Sequence, residues 1–157
     1  MTMATLEQER ARFALDRIVS LAEVSGPVQA KYKSQLLKLP ARLHTSGLGQ
    51  SVAFYLAAGA GSPEAEICGW IESWLAARLP LGERSLLDCI TGAGTAAGDA
   101  ERIYREASAE ARALVVWLKR FAEAFLAERP ARAGADARGA DAAGAAAAGA
   151  AARGGGR

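Results

Sequence analysis

The sequence predicts an all-α protein, a compact bundle of five to seven helices with a long C-terminal helix. Three observations carry this. Apolar residues recur at spacings of three and four in each long segment, Gly- or Pro-containing turns separate the segments, and no run shows strand alternation.

The first helix is expected over residues 5–24, with Thr5 as its cap and Glu7 and Glu9 near its positive end. Ala11, Ala14, Leu15, Ile18, Leu21 and Ala22 form its apolar face, and Gly26-Pro27 stops it. The second helix, residues 28–45, has a stripe of Tyr32, Leu36, Leu39 and Leu43, and Pro40 is expected to kink or divide it. Gly47, Leu48 and Gly49 form a tight structural corner. The third helix, residues 50–58, is so apolar (Val52, Ala53, Phe54, Tyr55, Leu56, Ala57) that it reads as the central buried element. Ser62-Pro63-Glu64 supplies a cap, a proline at the first helical position and a first-turn acid for the fourth helix, which carries Ile67, Trp70, Ile71, Trp74, Leu75 and Leu79. A short helix over 83–91 follows. The last helix starts at or a few residues before Asp99, its expected cap, and runs to residue 128 through Ile103, Ala107, Ala111, Leu114, Leu118, Phe121 and Phe125. Thirty helical residues reach about 45 Å, more than a small domain needs for its own packing.

One helical domain is expected over residues 1–129. Residues 130–157 form a low-complexity tail: from Ala131 onward, fourteen Ala and seven Gly leave no Leu, Ile, Val or aromatic to dock, and disorder is the expectation. The tail also accounts for the net charge of +2, because residues 1–130 hold fifteen Lys/Arg against fifteen Asp/Glu. An overall basic balance is therefore weak evidence for nucleic-acid binding, and the distribution of charge matters more.

No catalytic residue, cofactor site or metal site is expected. The glycines of 92–98 lack both the Gly-Lys-Ser/Thr ending of a phosphate loop and a preceding strand. His44, the only histidine, has Arg42, Thr45 and Ser46 as neighbours, with no orienting acid or nucleophile at a defined place. Cys68 and Cys89 read as small buried apolar residues of a reduced cytoplasmic protein. Glu64, Glu66 and Glu72 read as solvent-facing. Asp99, Glu101, Glu106 and Glu110 alternate with Arg102, Arg105 and Arg112 in pairs that lace an exposed helix face. The N-terminus becomes charged at once, and no run approaches membrane-spanning length.

One feature is segregated. No Asp or Glu occurs from Val24 to Pro63, and that window holds Lys31, Lys33, Lys38 and Arg42. With Lys119 and Arg120 on the last helix, these are candidates for contact with an RNA backbone or a protein partner, since helical Lys and Arg neutralise phosphates without reading bases. The plainer reading is a solvated face. On it, the chain is an autonomous helical protein-interaction or regulatory domain without nucleic acid; a small hydrolase using His44 ranks third.

The segments Tyr32-Lys33-Ser34 through Leu39-Pro40-Ala41, Ser46-Gly47-Leu48-Gly49-Gln50 with Ala53-Phe54-Tyr55, Tyr104-Arg105-Glu106-Ala107, and Trp117 through Ala124 occur in an order that resembles the small α-helical subunit family of the type III-B CRISPR RNA-guided effector, the Cmr complex. The resemblance spans most of residues 8–126. It implies a non-catalytic structural subunit whose copies stack in an inner filament beside larger backbone subunits that hold the guide RNA. Target RNA would lie in the groove between filaments, cleaved by other subunits, with no DNA sequence recognition and no membrane. The Ala/Gly tail departs from the family's compact pattern.

Overall fold

The structure, a computed structural model, describes residues 3–127. Their regular structure consists of α1 (Leu6–Ala22), α2 (Gly26–Leu56), α3 (Pro63–Arg78), α4 (Leu86–Thr91) and α5 (Ala97–Phe125). The tail expected over 130–157 lies outside the described residues.

Thr5 caps α1 as its sequence predicts. Its hydroxyl accepts from the Gln8 amide at 3.3 Å while the Gln8 side chain accepts from the Thr5 amide at 2.8 Å, so two otherwise unsatisfied donors are met reciprocally. Ser62 caps α3 by accepting from the Ala65 amide, and Pro63 follows it. Ser85 and Asp88 form a second capping box, which starts α4 later than expected and leaves Leu87 exposed. Gly92, at φ 72°, closes α4 in the left-handed conformation. At α5 the cap position belongs to Ala96. Asp99 lies in the first turn, facing Arg102 at 3.4 Å.

The two helices expected over 28–45 and 50–58 are limbs of α2. The dihedrals stay helical through Pro40, and the break falls at Gly47 (φ 77°, ψ 172°). Nor is the second limb buried all round. Leu48, Ser51, Val52 and Tyr55 face the interior, whereas Phe54 and Leu56 are exposed, because the packing of α3, α4 and α5 covers one side only.

The core lies where α5 crosses α1 and both limbs of α2. Ile103, Ala107, Ala111, Leu114, Leu118 and Ala122 of α5 meet Ala14 and Ile18 of α1 and Leu36, Leu39 and Leu43 of α2, with Ile67, Ile71 and Leu75 of α3 in the same cluster. Trp70 and Trp74 are buried, Tyr32 stacks on Trp70 and Phe13 tilts against Trp74. Cys68 and Cys89 are free and buried, and burial pushes the Cys68 thiol up to about 11, far from a reactive thiolate.

Several polar residues expected at the surface instead tie helices together. The Glu72 carboxylate accepts from the Leu86 amide at 2.6 Å and so helps start α4. Glu66, though exposed, accepts the Tyr32 hydroxyl. Glu110 is largely buried between Arg10 and the Trp74 indole. The pairs Arg105–Glu101 and Arg102–Glu106 do lie on the exposed face of α5, as their spacing predicts.

At the opposite end from the corner, Gln29 joins three chain ends. Its amide nitrogen donates to the carbonyls of Ala22 (3.0 Å) and Val24 (2.7 Å), and its amide oxygen accepts from the Ala127 amide at 3.0 Å. One buried side chain thus satisfies the end of α1 and the segment after α5. Gln29→Ala should destabilise the fold by about 1–2 kcal/mol, since three backbone groups lose their partner near the surface. Urea unfolding would show this as a lower midpoint at unchanged slope. A midpoint equal to the parent's would mean that water replaces the amide without loss.

Candidate nucleic-acid interface

The basic residues of α2 divide by helical phase. At 3.6 residues per turn, Lys31, Lys38 and Arg42 fall within about 20° of one line along the first limb, while Lys33 points about 200° away. Lys31 and Lys38 are exposed and Arg42 is half-buried. Lys33 is 8% exposed, on the same side as Leu36 and Leu43, and its ammonium donates to the Leu126 carbonyl at 3.1 Å. The expectation of a four-residue surface group is corrected to that extent: Lys33 belongs to the interior and caps the end of the α5 segment.

The acid-free window of the sequence does not persist in space. α3 brings Glu66 onto the Tyr32 hydroxyl and Glu64 close by, and burial followed by the Glu66 hydrogen bond pushes the Tyr32 phenol up to about 12. Glu64 also acts on the phenol of Tyr55, near the Arg42 end of the line. There the guanidinium carbon sits 3.7 Å from the centroid of the Phe54 ring and 5.8 Å from that of Tyr55. The Tyr55 hydroxyl donates to the Gln35 carbonyl at 3.0 Å, and burial raises its pKa against the opposing pull of Arg42.

Lys119 and Arg120 form a separate group. Lys119 faces Glu123 at 4.0 Å. Both basic residues line a shallow depression of about 340 Å³ with Pro40, Val116 and Glu123. Pro40 lies about 180° around α2 from the Lys38 line, so the two basic groups occupy opposite sides of that helix. Arg120 also borders a neighbouring depression with Glu7, Ala113, Val116 and Trp117.

The corner between the limbs is closed. Gly47 holds a positive φ of 77°. Leu48 is 1% exposed, and the Gly49 amide donates to the Tyr104 hydroxyl of α5 at 3.1 Å. A Cβ at position 49 would sit 3.1 Å from Ile90 Cγ2 and 3.4 Å from the Tyr104 oxygen, so the close approach of α4 and α5 leaves a side chain there tight against both. Tyr104 is thus part of the corner, a role its local sequence does not signal. The positioning of Phe54 by Arg42 is likewise tertiary: the two are twelve residues apart, on different limbs.

His44 is exposed, and no hydrogen bond joins its imidazole to another of the described residues. Within those residues no group of three His, Cys, Asp or Glu side chains is placed to hold a metal ion, and no helix is long and apolar enough to cross a membrane.

The profile of the family described as CRISPR-associated protein (Cas_Cmr5) matches residues 6–125, which includes all five helices. Among solved structures, the crystal structure of a CRISPR-associated Cmr5 family protein from Thermus thermophilus superposes with a TM-score of 0.56 at 26% sequence identity, covering 78% of this chain and 98% of that one. No curated protein matches the chain. The profile match extends from the start of α1 to the end of α5, through the Gly47 corner and the Tyr104 that closes it: the chain belongs to the CRISPR-associated Cmr5 family.

Proposed function

We propose that this chain is a non-catalytic structural subunit of a type III-B CRISPR ribonucleoprotein effector. Copies of it stack into an inner filament beside the larger backbone subunits and help to position target RNA. The observation that carries the RNA part of this reading is the alignment of Lys31, Lys38 and Arg42 along one side of an α2 that contains no acid of its own. Such a line neutralises successive phosphates without reading bases, and sequence selection is left to guide–target pairing. Lys119 and Arg120, on the other side of α2, suit a neighbouring protein or a second stretch of strand.

The test is charge reversal at Lys31 and Lys38 in a reconstituted effector. Both are exposed, so their replacement spares the core, unlike that of Lys33. Affinity for target RNA should fall. The slope of log affinity against log salt should also become shallower by about 0.7–0.9 per lost phosphate contact. Normal incorporation of the variant with unchanged RNA affinity and slope would reject the phosphate contact. It would favour the second reading, a helical protein-interaction subunit without nucleic acid, to which the acids that α3 brings against Tyr32 lend support.

A further inference from the structure

We infer that Phe54, backed by Arg42, is a stacking platform for one unpaired RNA base at the end of the Lys31–Lys38–Arg42 line, an inference that rests on the RNA-positioning role proposed above. Phe54 is 53% exposed, yet it is held on two sides. The Arg42 guanidinium covers it at 3.7 Å, and the Tyr55 ring meets it at 66° with centroids 6.0 Å apart. Tyr55 is itself buried and hydrogen-bonded to the first limb. The pair spans the Gly47 break, so the closed corner sets the relation between ring and guanidinium.

This arrangement suits a nucleobase better than an aliphatic side chain. A cation stacked on an aromatic ring leaves a rigid planar surface next to positive charge, and a base brings both a π-face for the ring and a phosphate for the cations. Lys38 lies one turn from Arg42 on the same side, and α2 itself carries no carboxylate, the acid acting near this site being Glu64 of α3, which is felt by Tyr55. The other exposed aromatic side chain, Phe125, is as accessible, but its ring tilts against Phe121 at the end of α5. Stacking of this kind tolerates any base, as a subunit that leaves sequence to the guide requires.

The experiment uses the effector reconstituted with the full chain, and target RNAs carrying 2-aminopurine at single positions, whose fluorescence is quenched by stacking. At one position the quench should depend on Phe54. Phe54→Leu should remove it and lower affinity about tenfold at an unchanged salt slope, whereas Phe54→Trp should retain both quench and affinity. If Phe54→Leu changes neither while reversal at Lys31 and Lys38 weakens binding, the platform is refuted and the phosphate track stands. If neither class of variant alters binding, both readings fall together. Loss of the Phe54→Leu chain from the assembled particle would make Phe54 a protein anchor and overturn the base-stacking assignment.

Discussion

Glu110→Ala should lower the unfolding free energy by about 2–3 kcal/mol, on the order of 10 °C in melting temperature for a domain this size. The carboxylate receives Arg10 through two bonds, Nη2 at 2.6 Å and Nε at 3.2 Å, and the Trp74 indole N–H at 3.2 Å. Arg10 also pairs with Glu7, which accepts the Trp117 indole, and Arg78 pairs with Glu9 while lying over Trp74. Helices α1, α3 and α5 therefore meet at one carboxylate. Arg10 and Glu110 keep only 12% and 18% of their side-chain surface exposed. Removing Glu110 strands a mostly buried guanidinium, although its remaining contact with Glu7 keeps the loss below that of a fully buried pair.

The same site fixes a pH dependence. Burial pushes the Glu110 carboxyl up, but the hydrogen bonds from Arg10 and Trp74 outweigh it, and the group is held below the ordinary glutamate value. A carboxyl depressed in the folded state contributes stability that is fully present above its unfolded pKa, about 4.3, and is lost as the pH falls through the folded value. The stability gap between the parent and Glu110→Gln should be flat near neutrality and shrink in acid. Chemical unfolding from pH 7 to pH 3 measures it. A gap that widens toward acid would show that the pair does not favour the charged form.

Gly47→Val should cost about 3 kcal/mol and Gly49→Ala about 1–3 kcal/mol, for different reasons. At φ 77° and ψ 172°, Gly47 occupies a region essentially closed to side chains, where even an alanine brings strain of about 1–3 kcal/mol and a β-branched residue brings more. Gly49 has ordinary backbone but little room: an added methyl would press Ile90 and Tyr104, and its helix-propensity gain offsets part of that cost. Gly69 is the control. It lies inside α3 with negative φ and no heavy atom within 4 Å of where a Cβ would stand, so Gly69→Ala should stabilise by up to about 1 kcal/mol. Thermal melts of the three variants decide the matter. Equal and small effects at all three positions would mean that the corner is not under the constraint assigned to it.

Local chemistry made much of the fold legible. Thr5 and Ser62 start helices because a short hydroxyl beside an apolar period has one good use there, and the stripe Ile103–Ala107–Ala111–Leu114–Leu118 has no other stable placement than a core. What escaped a linear reading depends on which elements become neighbours. Glu110 has an exposed-helix pattern, and only the approach of Arg10 and Trp74 makes it interior. Phe54 sits in an apolar run and is exposed because none of the described helices covers that side. The site was half legible. The spacing of 31, 38 and 42 already places three cations on one line, and the same arithmetic turns Lys33 toward Leu36 and Leu43. Its carbonyl partner, 93 residues later, is set by tertiary packing alone. The Cmr5 family likeness was readable from its ordered segments, since those carry the corner and the Tyr104 turn of α5 together.

The closure made by Gln29 and Lys33 has a practical consequence for labelling. It holds Leu126 and Ala127 beside the first turns of α2, about 25 Å of helix from the Gly47 bend. A fluorophore coupled at the exposed Ala127 therefore reports from the end of the first limb remote from the Gly47 bend.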